Sequence, residues 1–297
     1  MTTSRLPLGP PAPGEGTVRG GTTPGSGESP RARHNPVAVT ARSGIETVGE
    51  MVQFIAEIIK NVPTAARLYP AEVVRHAGLL IRANSAVILF MMFMLGAVFG
   101  LASHFLFSSI GIESYIAAAH TIGGMRGITE VVFGWIIAAK VGCGIVAEIG
   151  AMKISEEIDA MEVMGVQSVP YLLSTRLLAG IVVTPFLWVV SLSVNFWAAY
   201  LFNAKMLQTA SEGAFQYFLY LFQNTQDFMI SVTWGTFLMA MVIVIAGYFG
   251  YSAKGGPVGV GRNTAQSMLV NLVMISLTAL ILVQMFYGQA PNAPIGN

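Results

Sequence analysis

The chain has 297 residues, of which 54% are hydrophobic and only 10% charged, with a net charge of +1 and a mean hydropathy of +0.65. That much apolar side chain exceeds what one soluble core of this length can bury. The composition excludes a soluble globular domain and leaves an all-α polytopic membrane protein, with no nucleic acid expected among its partners.

Residues 1–44 are rich in Pro, Gly, Ser, Thr and Arg and contain no apolar stretch of signal-peptide type, so they are expected to form a disordered cytoplasmic tail. Amphipathic helices are expected over 45–83. Val48, Met51, Val52, Ile55, Ile58, Ile59 and Val62 recur at helical spacing, with Glu50, Gln53, Glu57 and Lys60 on the opposite stripe, until Pro63 breaks the pattern. Two environments fit this helix: packed on cytoplasmic loops, or lying in the inner headgroup region. The second is preferred, because no soluble domain is available to receive it. Pro70 then predicts a second short helix through Arg82.

Five spans follow in a domain over 84–288, near 84–107, 128–150, 171–201, 228–251 and 267–288, with a short extracytoplasmic tail at 289–297. Four of them come from runs without Asp, Glu, Lys or Arg, whereas the second span carries Glu130, Lys140 and Glu148. Orientation follows from basic residues. With the N-terminus inside, Lys153, Arg176, Lys254 and Arg262 also fall inside, and only Arg126 and Lys205 outside. This predicts a multi-pass protein of the plasma (inner) membrane with a cytoplasmic N-terminus and an extracytoplasmic C-terminus.

Within the second span the lone cysteine, Cys143, can make no intrachain disulfide and reads as a packing residue. Ala138, Ala139, Gly142, Gly144 and Ala147 suit close helix contact. Lys140 lies well inside the membrane, where a charge needs a partner, water or a snorkelling path. It either snorkels or bonds carbonyls to hold the bundle, or it stands in a transport path as a polar contact for cargo. Glu148 sits two turns nearer the cytoplasm, at the inner mouth, and Glu130 near the outer end; helical rotation puts neither beside Lys140.

Between the second and third spans, Glu156, Glu157, Asp159 and Glu162 crowd into seven residues. Ser155 is predicted to cap this helix, the acids complement its dipole, and Gly165 ends it before Pro170 opens the next span. Ile154, Ile158 and Met161 share one face, with Met164 at its end. A solvated connector explains the charges; docking into a groove of a cytosolic partner explains both the charges and the apolar stripe. After the third span, Phe215, Tyr217, Phe218, Tyr220 and Phe222 form either an interfacial anchor or a platform for an external partner. The Gly255–Gly261 run reads as a flexible turn, or as a second contact with the same cytosolic partner.

The chain contains no G-x-x-x-x-G-K-[ST], so it cannot hold nucleotide phosphates by a P-loop. His34, His76, His104 and His120 show no metal-ligand spacing, and no nucleophile–base set stands out.

The run Lys140-Val-Gly, then Ala147-Glu-Ile-Gly-Ala-Met-Lys153, then Glu156-Glu-Ile-Asp-Ala-Met-Glu-Val-Met-Gly-Val166 resembles the signature of MlaE/YrbE permeases, the membrane subunits of ABC transporters that act on lipids with MCE-domain proteins. The segments Tyr171–Arg176, Tyr248–Tyr251 and Gly255–Gly261 look most like YrbE chains of actinobacterial Mce loci. The resemblance, taken over about 45–288, implies a non-catalytic permease subunit moving fatty acids or sterols. It implies as partners a second YrbE-type subunit in a heterodimer, MCE-domain proteins outside, and a dimeric cytosolic P-loop ATPase that binds ATP and Mg. Ser155, Glu156, Glu157, Ile158, Asp159, Met161, Glu162 and Gly165 then form the coupling helix that inserts into that ATPase. The alternative from the residues alone is a proton-coupled secondary transporter relaying through Glu130, Lys140 and Glu148.

Overall fold

A computed structural model describes residues 49–288, and among them every regular element is a helix. Five helices are long and apolar enough to cross a bilayer: Pro70–Ser108, Glu113–Ile154, Pro170–Met206, Thr225–Tyr251 and Gly256–Tyr287. Both tails and Val48 lie outside the described residues.

Helix α1 (49–60) is followed after Asn61 by α2 (Val62–Leu68) and α3 (Pro70–Ser108). Pro63 interrupts the amphipathic pattern as expected, but it also starts α2, because a first-turn proline has no intrahelical N–H bond to lose. Pro70 opens α3 in the same way. The expected short helix through Arg82 and the first span are one element, since no Gly or Pro stands within residues 79–95 to part them.

The second span begins earlier than residue 128. A 3-10 turn (Glu113–Tyr115) leads into α4 (Ile116–Gly123), a π turn over Gly124–Ile128, α5 (Thr129–Ile137), a second π turn over Ala138–Gly142, and α6 (Cys143–Ile154). Arg126 and Gly127 leave helical geometry, and Gly127 adopts φ +153°, a conformation that favours glycine. The start expected at 128 falls on this break.

Helix α7 (Glu157–Val163) connects to α8 (Thr175–Tyr200), which is flanked by π turns over Pro170–Ser174 and Leu201–Met206. Then come α9 (Glu212–Leu221), α10 (Thr225–Tyr251) and α11 (Gly256–Tyr287). The glycine run expected as a turn is mostly helical: Gly255 and Gly256 turn at φ +83° and +72°, and Pro257 occupies the first turn of α11.

The core lies where α5–α6, α8 and α10 meet. Phe133 and Trp188 pack edge to face with centroids 4.7 Å apart, and Ile137, Val146, Leu173 and Leu238 are buried around them. Helix α11 is peripheral, with 17% of its most apolar window buried against 56% for the second span. The small residues of the second span divide. Ala138 and Gly142 face inward, whereas Ala139, Gly144 and Ala147 face outward with Lys140.

Gly96 and Gly100 bring α3 onto α8. A Cβ on Gly96 would stand 2.1 Å from the Asn195 carbonyl oxygen, and one on Gly100 would stand 3.2 Å from Ala199 Cα. This is a small-xxx-small contact, in which missing side chains let backbones approach. Asn195 locks it by donating from Nδ2 to the Met92 carbonyl (3.1 Å) and pairing Oδ1 with His120 Nε2 (3.0 Å). Gly96→Leu therefore meets backbone that cannot yield, and a cost of about 3 kcal/mol or more is expected. Size-exclusion profiles of the detergent-solubilised chain should lose the monodisperse peak, and an unchanged profile would disprove the close approach.

Helix α1 matches neither expected environment alone. Ile58 is buried, its carbonyl accepts from Ser174 Oγ at 2.9 Å, and Phe54, Ile55 and Val62 pack on the bundle. Val52 and Ile59, on the adjoining stripe, are exposed. The aromatics of the α9 region divide similarly: Phe215 and Phe222 are buried, Tyr217 and Tyr220 exposed.

Candidate functional site

Helix α7 stands at one end of the bundle, between the second and third spans. Helix α6 ends at Ile154 and Ser155 stays near-helical, so the chain turns at Glu156, which takes φ +60°. Glu156 rather than Ser155 thus occupies the N-cap position. The Ser155 hydroxyl instead lies within bonding range of the Ala151 and Met152 carbonyls (3.0 and 3.3 Å) and of Glu157 Oε1 (3.1 Å). Gly165 ends α7 as expected, at φ +82°, with Val166 N donating to Met161 O and Gly165 N to Glu162 O, the paired bonds of a Schellman cap.

The apolar stripe predicted for docking is largely used by the chain itself. Ile158 is fully buried in the core, and Met161 packs partly against it. The side chains left free are Val163 and Met164, 89% and 73% exposed. Two of the acids are clamped. Lys153 Nζ bonds Asp159 Oδ1 at 2.7 Å and lies 5.5 Å from the Tyr251 ring centroid. Ser168 and Tyr251 donate to Glu162 Oε1 at 2.5 and 3.0 Å, and these bonds hold its carboxyl below the usual carboxylate range. Glu156 and Glu157 remain exposed. Helix α7 is therefore tied to α6, to the end of α10 and to the segment entering α8, while Glu156 and Glu157 at its start and Val163 and Met164 at its end stay exposed.

A polar layer lies at the same end. Arg176 Nη2 bonds Glu148 Oε1 at 2.6 Å, so Glu148 links α6 to α8. Glu72 pairs with Arg75 (2.7 Å) and accepts from Tyr171 (3.0 Å). Beside the Arg176 pair, a cavity of about 330 Å³ between α3, α6, α8 and α10 has Lys140 and Glu148 in its wall.

Glu130 is elsewhere. It is fully buried, taking Gly127 N–H (3.0 Å) and Ser231 Oγ (2.7 Å), with Trp188 Nε1 donating in turn to Ser231 (3.0 Å). Along the helix it is roughly 15 Å from Lys140 and 27 Å from Glu148 at 1.5 Å per residue. The three residues proposed for a relay are not contiguous. Beside Glu130 lies a pair the sequence reading passed over: Arg126 bonds Asp227 Oδ2 from Nη2 (2.8 Å) and Nε (3.0 Å), both buried. The available signal was position. Each stands one or two residues before the predicted start of a span, and both spans start at the same end of the bundle.

Five spans, four of which frame a charged cavity, with one clamped acidic helix between the second and third, make a multi-pass membrane protein. The family model for the MlaE permease matches residues 73–285, and the chain belongs to that family. The match starts within α3, later than the expected limit near residue 45. The chain is 27% identical over 197 residues to a probable ABC transporter permease protein of Rickettsia bellii, covering 66% of this chain and 75% of the relative. It is 26% identical over 189 residues to a probable ABC transporter permease of Synechocystis, covering 61% and 71%. It is 23% identical over 194 residues to the Arabidopsis thaliana protein trigalactosyldiacylglycerol 1, chloroplastic, covering 63% and 53%.

Proposed function

We propose that this chain is a permease subunit of an ATP-driven lipid importer, in which α7 docks into a dimeric cytosolic P-loop ATPase that binds ATP and Mg. The observation that carries this is the exposed part of α7, with unclamped Glu156 and Glu157 at its start and Val163 and Met164 at its end. An apolar anchor rimmed by charge suits helix-in-groove docking. The clamps of Asp159 and Glu162 supply the coupling, because a push on α7 reaches α6 through Lys153 and α10 through Tyr251.

The α7 end is taken as cytoplasmic, since Lys153, Arg176, Lys254 and Arg262 lie toward it while Arg126 and Lys205 lie toward the other. On that reading the N-terminus is inside and the C-terminus outside, and the membrane is taken to be the plasma membrane. The motif resemblance supports a second YrbE-type subunit and MCE-domain proteins as partners, with fatty acids or sterols as cargo. One relative carries the name of a glycolipid. Affinity purification from native membranes in mild detergent should recover a P-loop ATPase and MCE-domain proteins, and the complex should move labelled fatty acid or sterol only with ATP. Recovery without any ATPase would overturn the reading.

In this reading helix α1 lies along the inner interface, and the exposure of Val52 and Ile59 supports their contact with lipid. In sealed vesicles with the cytoplasmic face outward, cysteines at Glu57 and Lys60 should react with a soluble maleimide at least tenfold faster than one at Ile59. Equal rates would put the stripe in water.

A further inference from the structure

We infer that the cavity between α3, α6, α8 and α10 is a binding site for the anionic headgroup, carboxylate or phosphate, of a lipid. As a cargo site it rests on the lipid-transport reading, but binding is tested without transport.

Lys140, Gly144 and Glu148 all line this cavity, although regular helical rotation would turn Glu148 away from Lys140. Lys140 lies in the π turn over Ala138–Gly142, and such turns are frequent at functional sites. It has no hydrogen-bond or ion-pair partner among the described residues. Opposite lies Arg176, 5% exposed, with one Nη2 bond spent on Glu148 and its buried Nε left without any partner. Two cations thus face one carboxylate, with an unused guanidinium donor. Uncompensated charge and an orphaned donor are costly in an apolar setting, and a monoanion satisfies both.

Other features favour a lipid over a soluble ion. Leu79, Leu80, Val141, Ile145 and Ile243 make most of the remaining wall. A volume of about 330 Å³ takes a headgroup and the first methylenes but leaves a long chain outside. Leu79 and Ala83 line the opening, and at helical spacing exposed Val87 and Phe90 continue their stripe along α3 as a track for the tail. Gly144 keeps the space between Lys140 and Glu148 clear, since a Cβ added there meets nothing within 4 Å.

The test uses the full chain in nanodiscs of zwitterionic phosphatidylcholine, with photoactivatable fatty acid, its fatty alcohol, phosphatidic acid and phosphatidylcholine as probes. The two anionic probes should label peptides spanning Leu79–Asn84 and Val141–Ile145 roughly tenfold more than the alcohol or the zwitterion, the scale of one charge-assisted bond. Lys140→Gln should lower that labelling by a similar factor, with Lys140→Arg retaining it. Gly144→Leu should abolish it by filling the space without altering charge. Millimolar inorganic phosphate should not compete. Equal labelling by all four wild-type probes would overturn the site, whatever the variants do. Unchanged labelling of Lys140→Gln would also overturn it, and displacement by free phosphate would make it an ion site rather than a lipid site. Selective labelling in a complex that fails to move lipid with ATP would instead overturn the transport reading and leave the site standing.

Discussion

Val163→Asp together with Met164→Asp is expected to detach the ATPase from an otherwise intact chain. Both side chains point outward, at 89% and 73% exposure, and neither contributes to the core, so the substitutions should leave the bundle folded. If they fill a groove on the ATPase, each contributes about 1.5–3 kcal/mol of apolar burial. Replacing them with carboxylates adds the cost of charge in that groove. A loss of at least thirtyfold in association follows, from about 2 kcal/mol or more at an anchoring position. Co-purification should fall accordingly and ATP-dependent transport should stop, while thermal stability of the isolated chain stays put. Glu156→Lys with Glu157→Lys should act more weakly and with a strong salt dependence, as rim charges do. Asp159→Lys is a poorer probe, because it also breaks the clamp to Lys153. Normal co-purification of the Val163/Met164 double variant would sink the docking reading.

The residues that make this experiment clean could not be chosen from the sequence. Spacing showed that Ile154, Ile158, Met161 and Met164 share a face, but periodicity says nothing about what that face meets. Ile158 meets its own core, and the exposed apolar side chains are Val163, off the predicted stripe, and Met164, at its end. The five spans were legible because each is a long apolar run, a signal that survives without tertiary knowledge. Their ends were less so. Glu113–Tyr115 and Gly256–Arg262 are polar or glycine-rich enough to read as loops, yet packing and a first-turn proline carry the helices through them. Glu148 was placed at the inner mouth from position alone, and its Arg176 partner lies on the next span at the same end. Gly96 and Gly100 form a four-residue small-residue spacing visible in the sequence, but only the contact with Asn195 and Ala199 tells which face needs it.

Breaking the Arg126–Asp227 pair should destabilise the bundle more than removing it altogether. The guanidinium and carboxylate are 5% and 1% exposed, and they join the break at Gly127 to the first turn of α10. Asp227→Leu leaves a buried cation and Arg126→Met a buried anion; each is expected to cost about 3–5 kcal/mol. The double variant Arg126→Met with Asp227→Leu removes both charges and supplies apolar volume, so it should recover a large part of that loss. Neighbouring bonds make the site unforgiving: Gly127 N–H and Ser231 Oγ both serve Glu130, Ser231 takes Trp188 Nε1, and Arg126 Cζ lies 5.8 Å from the Tyr287 ring centroid. A shift of the break would strain four spans together. Thermal unfolding of the wild-type, single and double variants in one detergent closes the cycle. The double variant should lie above at least the worse single, giving a coupling well beyond the roughly 0.5 kcal/mol expected of independent sites. Additive losses would show that each residue acts through other contacts and that the ion pair is not what holds the break to α10.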